Sequence, residues 1–583
     1  MQGFKNLVGL KKSLIKSYPF SWAQKMKKLF LFTLILITLS CKNENTENQI
    51  TTVETPEVEK TPFVWEGANL YFLLTDRFNN GDQSNDINFD RTKETAKLRG
   101  FKGGDIKGIT QKIKDGYFTD LGINAIWMTP IVEQIHGGTD EGTGVTYGFH
   151  GYWTKDWTSM DPNFGTKEDL HALVKEAHAK GIRIVLDAVI NHTGPVTEKD
   201  PVWPEDWVRT DKQCSYDNYE NTVSCTLVAN LPDIRTESND NVELPPQLVE
   251  KWKAEGRYEQ EVKELDAFFE RTGHPRAPRF YIMKWLTDYI TEFGVDGYRV
   301  DTVKHVEEYV WQEFKVECDF AFAEFKKNNP DKVLDDNNFY LLGEVYNYGA
   351  STGQEFNFGD RKVNYFNPPS FQSLINFEFK YNSKDKGYED LFTHYNAILH
   401  NELKGFGTVN YLSSHDDGQP FDAQRKKPFE TANKLLLSPG TSQVYYGDES
   451  SRSLIIPGTE GDATLRSMMN WDSIANNKRT KEVLTHWQKL GQFRAKHPAI
   501  GAGTHQMISE APYYFSRSYQ NDDFKDKVVV GLDLNSGEKI IDVSKVFQER
   551  VMLRDAYSGE TATVENGKVT INTKFNTVLL ERE

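Results

Sequence analysis

The stretch Thr166-Lys-Glu-Asp-Leu-His-Ala-Leu-Val-Lys-Glu-Ala-His-Ala-Lys-Gly181 runs straight into Ile182-Arg-Ile-Val-Leu-Asp-Ala-Val-Ile190, and this junction decides the fold. Thr166 is a good helix cap, because its hydroxyl accepts from an N–H that the first helical turn leaves unpaired. Leu170, Leu173, Val174 and Ala177 recur at three- and four-residue spacing and share one helical face. Gly181 stops the helix, since glycine enters the left-handed region without a Cβ penalty. The apolar run 182–190 then suits a strand covered on both faces, which means parallel pairing with helical crossovers.

The same unit recurs on both sides. Upstream, Asn69–Leu74 is a continuous apolar run, and a helical pattern at Ile109–Leu121 ends at Gly122 and leads into the strand Ile123–Met128. Downstream, buried strands are predicted at Val295–Val300, Phe339–Gly343, Thr408–Leu412 and Ser442–Tyr446, each beside a helical stretch. This alternation predicts an α/β fold, a (β/α)8 TIM barrel built from residues 62–192 and 279–498. Residues 193–278 read as a loop-rich domain inserted after strand 3. From 499 to 583 the pattern changes to short alternating strands (Val528–Leu534, Thr561–Ile571, Thr577–Glu581), which predicts a C-terminal all-β sandwich domain. No period of 20–50 residues repeats, which excludes a solenoid.

The first 61 residues read as an address. Met26-Lys-Lys28 precedes the apolar Leu29–Leu39 and then Ser40-Cys41, the layout of a signal peptide too short to span a membrane comfortably. A small residue before a cysteine resembles a bacterial lipoprotein cleavage site, after which Cys41 would carry lipid. Thr38 stands where such sites usually have Leu, and an ordinary signal peptide cut nearby is the alternative. Residues 1–25 read as an upstream extension with Met26 as the true start, and 42–61 as a disordered tether. Export to the periplasm or cell surface follows, with an outer-membrane anchor.

An oxidising compartment bears on the four cysteines. Cys214 and Cys225 lie close together in a polar stretch and are expected to form a disulfide, while Cys318 falls in a helical pattern as a buried free thiol. The net charge of −16 argues against nucleic acid or an anionic membrane surface as partner. A monomer touching membrane only through its lipid is expected. Aromatics make up 13% of the chain, which fits a large aromatic core or a sugar site equally.

Functional groups of a parallel barrel collect at the C-terminal strand ends. The strand 182–190 carries Asp187, then Asn191 and His192; the strand 295–300 carries Arg299, then Asp301, Lys304 and His305. Phe339–Gly343 runs into Glu344, and Thr408–Leu412 into His415-Asp416. Singly, Asp301 could cap a helix, Asp187 could pair with Arg299, and His415 could be a core histidine. Carboxylates, imidazoles and one arginine on a single rim form the inventory of a glycosidase.

Asp187-Ala-Val-Ile-Asn-His192, Gly297-Tyr-Arg-Val-Asp-Thr-Val-Lys-His305, Gly343-Glu-Val345 and Ser413-Ser-His-Asp416 resemble the four signature regions of the α-amylase family of glycoside hydrolases. Gly122-Ile-Asn-Ala-Ile-Trp-Met-Thr-Pro130 and Leu231-Pro-Asp-Ile234 match its accessory motifs, and Phe149-His-Gly-Tyr-Trp153 resembles its sugar-stacking loop. The likeness spans about 65–500. It implies retaining hydrolysis of α-1,4-glucosidic bonds in starch, glycogen or maltooligosaccharides. Asp301 would be the nucleophile, Glu344 the acid/base, and Asp416 the stabiliser of the oxocarbenium-like transition state. Crowding by Asp301 and Asp416 would raise the Glu344 pKa. Arg299 would keep Asp301 ionised; His150, His192 and His415 would bind the sugar, with Tyr152 stacked beneath it and Lys304 on the leaving-group side.

The resemblance also implies calcium. Asn191, Asp233 and the His305 carbonyl match a structural site between barrel and insertion. Asn80, Asp82, Asn85 and Asp86 with Gly103 and Asp105 resemble the N-terminal calcium loop of cyclodextrin-forming relatives; a polar Asx-rich turn is the plainer reading. No HExxH, CxxC, GxSxG or phosphate loop supports another cofactor. Two alternatives stay open: a transglycosylase or a cyclodextrin- or pullulan-degrading relative, and a non-catalytic glucan-binding protein. Forming or degrading relatives usually carry extra terminal domains, whereas here the barrel starts near 65 and the residues after 500 suffice for one domain.

Overall fold

The computed structural model describes residues 61–583 except 141 and 523. The expected signal peptide, Cys41 and the expected tether up to residue 60 lie outside the described residues.

Eight strands form a closed parallel barrel: β1 (Asn69–Leu73), β2 (Ala125–Met128), β3 (Arg183–Ala188), β4 (Gly297–Val300), β5 (Tyr340–Gly343), β6 (Ser373–Asn376), β7 (Gly407–Tyr411) and β8 (Thr441–Tyr445). Each pairs with its neighbours in chain order, and β1 closes on β8 through Asn69 opposite Ser442. Seven of these strands are the apolar runs quoted above: β1 to β5 are shorter than their runs by a residue or more, and β7 and β8 start one residue earlier at the same length. The sequence reading missed β6: Ser373-Leu-Ile-Asn376 is four residues with polar ends, and no apolar run marks it although every residue is buried.

The crossover helices follow the pattern that opened the sequence. Thr166 forms a full capping box with Asp169 at the start of a helix over Lys167–Ala179, whose buried face is Leu170, Leu173, Val174 and Ala177. The single helix predicted over 109–121 is corrected. Ile106–Lys114 and Tyr117–Asp120 are separate pieces, because Gly116 breaks the run at φ 83°.

Between β3 and the helix Pro278–Phe293, the chain forms the two-residue ribbon Val208–Arg209/Asp233–Ile234 and the Cys214–Cys225 disulfide. It also forms two helices, Pro246–Ala254 and Tyr258–Thr272, so this region is more helical than the expected loops. Cys318 is a buried free thiol.

Eight strands follow the barrel: β9 (Thr504–Ser509), β10 (Tyr513–Asn521), β11 (Phe524–Leu532), β12 (Gly537–Asp542), β13 (Met552–Asp555), β14 (Thr561–Thr563), β15 (Lys568–Thr573) and β16 (Val578–Arg582). They form a six-stranded sheet β9-β10-β11-β16-β13-β14 and a two-stranded sheet β12-β15. The strand expected over 561–571 is in fact two, in different sheets, parted by Asn566-Gly567, both at positive φ. Side-chain alternation divides the labour of the larger sheet. Val528, Val530 and Leu579 join the barrel's core, while Val529, Val578 and Leu580 pack with Ile541, Val569 and Ile571 of the small sheet.

Candidate active site

The barrel register builds the site around one arginine. On β4, Arg299 lies opposite Asp187 of β3 and Leu342 of β5. Its guanidinium is 1% exposed and holds three carboxylates: Nη1 donates to Asp187 Oδ1 at 3.0 Å and to Asp301 Oδ1 at 2.6 Å, and Nη2 lies 2.8 Å from Glu344 Oε1. The plain pairing of Asp187 with Arg299 therefore coexists with the others. Asp187 Oδ2 also accepts from Trp127 Nε1 (3.0 Å) and the Tyr152 hydroxyl (2.8 Å).

Glu344 has a second hold. The Thr302 N–H donates to its Oε2 at 3.0 Å, and Thr302 sits in the left-handed region at φ 51°. A β-branched residue there is strained, and the strain turns the chain sharply just after Asp301. Burial pushes the Glu344 carboxyl well above the usual range, and Asp301 and Asp416 push it further; Arg299 opposes them but does not prevail. Charge counting gives the reason, since one guanidinium cannot neutralise three buried carboxylates. Crowding, the cause read from the sequence, is thus second to burial.

Asp416 is more open, its side chain 32% exposed. Burial works against its charge, yet His415, Arg299 and Arg466 together hold its pKa below the ordinary value. His150 accepts the Tyr152 N–H at Nδ1 (3.1 Å), so its proton sits on Nε2; burial lowers its pKa and keeps the ring neutral. His192 Nε2 donates to the Tyr152 carbonyl at 3.1 Å, and the Tyr152 ring stacks against His415 with centroids 5.4 Å apart. Lys304 donates to the Tyr346 carbonyl at 3.3 Å, and burial lowers its pKa.

Asp301, Glu344, Asp416, His150, Tyr152 and His415 line one cavity of about 320 Å³. Trp153 of the quoted sugar-stacking motif lines it too, and sequence reading missed Arg99, Tyr346, Asp462 and Arg466, which also do. Arg466 donates Nε to the His415 carbonyl at 2.9 Å and pairs with Asp462 at 2.5 Å. Both come from a 3-10 turn after β8, away from any strand end, so the strand-end rule had no hold on them.

The expected calcium ligands fall in two places. Beside the site, the outer atom of the buried Asn191 amide lies 3.2 Å from both Asp233 Oδ1 and the His305 carbonyl oxygen. With the amide oxygen facing them, three oxygens converge with no donor between, an arrangement that suits a hard cation; turned over, the NH2 donates to both. Arg209 Nε binds the other Asp233 oxygen at 3.0 Å. His305 Nδ1 donates to the Thr222 carbonyl at 2.9 Å, which ties the disulfide loop to this point. Near the N-terminus, Asn80 Nδ2 donates to Asp86 Oδ1 at 2.8 Å, and a Cβ on Gly103 would lie within 2.5 Å of both side chains. Asn80 Oδ1 and Asn85 Oδ1 are buried without a hydrogen-bond partner. Asp82 and Asp105 are otherwise engaged: Asp82 with Lys107, and Asp105 with the N–H groups of Gly81, Asp82 and Gly108. Among the described residues no cluster of three or more His, Cys, Asp or Glu has metal-holding geometry, so each place would add amide or carbonyl oxygens to a single carboxylate, Asp233 or Asp86.

A closed (β/α)8 barrel with several carboxylates and one buried arginine at its C-terminal rim defines a class, the barrel glycoside hydrolases. Residues 72–454 match the family model for the α-amylase catalytic domain, and the chain belongs to the α-amylase family. It is 35% identical over 537 residues to the periplasmic α-amylase of Escherichia coli, covering 82% of this chain and 74% of that one. It is 27% identical to a cyclomaltodextrin glucanotransferase of Thermoanaerobacterium thermosulfurigenes, over 78% of this chain and 58% of the relative's length. The crystal structure of an Anoxybacillus α-amylase superposes with a TM-score of 0.61 over 90% of this chain and 99% of that one; at 23% identity this speaks for the fold alone.

Proposed function

We propose that this family member is a retaining hydrolase of α-1,4-glucans, with Asp301 as nucleophile and Glu344 as acid/base. The observation that carries the reading is the single guanidinium of Arg299 holding both carboxyls at the ends of adjacent strands. That arrangement supports a short separation. Retaining enzymes need about 5–5.5 Å, whereas inverting ones need about 6.5–9.5 Å to admit water between the groups.

In the first step Asp301 attacks the anomeric carbon while Glu344 gives its proton to the departing oxygen. The raised pKa of Glu344 keeps its proton available above the usual carboxylate range. In the second step the ionised Glu344 takes a proton from water, and the water displaces Asp301. Asp416, held ionised, pairs with the sugar's hydroxyls and its developing positive charge. His150, with its proton on Nε2, donates to a hydroxyl, as does His415; His192, its Nε2–H committed to the Tyr152 carbonyl, would accept at Nδ1. Tyr152 lies under the ring, and Lys304 serves the leaving-group side.

NMR of early maltooligosaccharide digestion tests the mechanism. The new reducing end should appear as the α-anomer before mutarotation; a β-anomer first overturns it. Products from starch, pullulan and cyclodextrin separate hydrolysis from transglycosylation. A relative named α-amylase at 35% identity favours hydrolysis.

Asn191, Asp233 and the His305 carbonyl would hold a calcium ion, and the convergence of their oxygens fits it. The ion would fasten the insertion to the ends of β3 and β4. A second ion would sit among Asn80, Asn85, Asp86 and Gly103, where two amide oxygens are otherwise unpartnered. Export with a lipid anchor at Cys41 rests on the sequence, and the periplasmic relative supports the export. Fatty-acid labelling of the chain that is lost in Cys41→Ala checks the anchor.

A further inference from the structure

The geometry assigns a positioning role to Lys380 and Asp417: a buried ion pair that straps the loop carrying Asp416 to the short helix after β6. The inference rests on the proposed role of Asp416.

Asp416 has little hold of its own. Its nearest polar neighbours within the loop are Ser414 Oγ at 3.3 Å and His415 Nδ1 at 3.7 Å, and its side chain is 32% exposed. Where it points is therefore set by the backbone on either side. Before it, the His415 carbonyl is tied to Arg466 Nε at 2.9 Å. After it, Asp417 does the work. Lys380 Nζ pairs with Asp417 Oδ2, the two side chains being 4% and 10% exposed. The Tyr411 hydroxyl donates to the same oxygen at 2.6 Å, and Asp417 Oδ1 accepts the Gln419 N–H at 3.1 Å.

The partner helix, Phe379–Asp385, grips the loop at two further points. The Tyr381 hydroxyl lies 3.4 Å from Gln419 Oε1, and Lys384 Nζ donates to the Gln419 carbonyl at 3.3 Å. These outer contacts are long and exposed. The inner pair is buried, so breaking it leaves one buried charge without its countercharge. The loop would then relax by moving Asp417, and Asp416 with it. Asp416 meets the sugar's hydroxyls already in the ground state but the developing charge only in the transition state, so the loss falls more on kcat than on ground-state binding.

The test is steady-state kinetics on a maltooligosaccharide with Lys380→Met, Asp417→Asn and the double variant. Binding of maltotriose and of the transition-state-like inhibitor acarbose is measured alongside. Lys380→Met should lower kcat about 10–100-fold, the scale set by a misplacement of about 1 Å. Acarbose affinity should fall with kcat, while KM and maltotriose binding move less than about threefold. The double variant should be no worse than the poorer single one, because one pair is being broken. Tyr411→Phe, which removes only the O–H and spares the ion pair, should give a smaller loss of the same kind in a chain that still folds. If Asp416→Asn is inactive and Lys380→Met and Asp417→Asn turn over within about twofold of wild type, the strap has no such role. Equal losses in acarbose and maltotriose binding also overturn it, since general damage does not discriminate. If Asp416→Asn itself stays active, the proposed role of Asp416 falls, and the strap's role falls with it.

Discussion

At the scale of single residues, the site is a problem of charge in a small dry volume. Arg299 and Glu344 are 1% and 7% exposed, and the arginine's charge is divided among three carboxylates. Burial raises Asp187 as well, to about 6, but Arg299 and the hydrogen bonds from Tyr152 and Trp127 favour its charged form; on Glu344, Asp301 and Asp416 add to burial and the carboxyl is raised well above its usual range. Asp301→Asn and Glu344→Gln should therefore each lower kcat about 1,000-fold or more while the melting temperature stays near that of the wild type. Near-normal turnover in either variant removes the assignment. The pH profile follows from the same group. With the Glu344 pKa raised, its acid form persists above the usual carboxylate range, and kcat/KM should fall as pH rises through that pKa. An alkaline limb that persists unchanged in the residual activity of Glu344→Gln would mean that another group titrates.

At the scale of elements, what the sequence disclosed depended on whether a side chain's role is local. Capping by Thr166, the buried face of its helix and the apolar barrel strands are written in short windows, and those were legible. So were Asp301, Glu344 and Asp416, since each follows a strand and strand ends share one rim. Strand β6 was not legible: four residues with a serine and an asparagine at the ends carry no periodic signal. Arg466 and Asp462 were missed because a turn after β8 brings them in from the side. Split elements, as at Gly116 and Asn566-Gly567, turn on backbone φ, which composition hints at but does not locate. Calcium belongs at this scale too. Asn191 after β3, Asp233 of the inserted ribbon and His305 after β4 would be joined by one ion, and the disulfide loop leans on His305 through Thr222. Excess chelator, given time for slow release, should lower the melting temperature, and added Ca2+ should restore it by mass action. Asp233→Asn should weaken that response; a melting curve indifferent to both chelator and Ca2+ counts against an exchangeable ion.

At the scale of the whole chain, the question is what keeps the C-terminal sheets on the barrel. Much of the answer is apolar, since Val528, Val530 and Leu579 share the barrel's core. At the edge of that contact stands a polar latch. His497, just past the helix Lys478–Lys496, is 7% exposed and lies between two carboxylates of the sheet, with Nδ1 2.8 Å from Asp526 Oδ1 and Nε2 2.7 Å from Glu581 Oε2. Lys496 reaches the same Glu581 oxygen at 2.7 Å, and the Ala499 N–H donates to Asp526 Oδ2 at 3.0 Å. Burial works against the imidazolium, but bonds to Asp526 and Glu581 outweigh it and raise the His497 pKa above its ordinary 6.5. Glu581 is shifted the other way, its pKa lowered by His497 and Lys496 against burial. A raised histidine adds stability that is complete below its unfolded pKa and is lost as pH rises through the folded one. A lowered glutamate adds stability above its unfolded pKa and loses it as pH falls through the folded one. The latch is therefore strongest between the glutamate's unfolded pKa and the histidine's, and it weakens on the alkaline side as His497 gives up its proton. A neutral ring has one N–H for two carboxylates, so one nitrogen then faces an acceptor with nothing to offer. His497→Gln should melt below wild type at pH 6, on the order of 1–3 °C for a contact of this kind in a large domain. The gap should narrow as pH rises to 9, because the wild type loses its imidazolium and the variant has none to lose. Thermal melts of both proteins at several pH values, with calcium held constant, measure it; a gap that stays constant or widens towards pH 9 shows that the latch carries no charge.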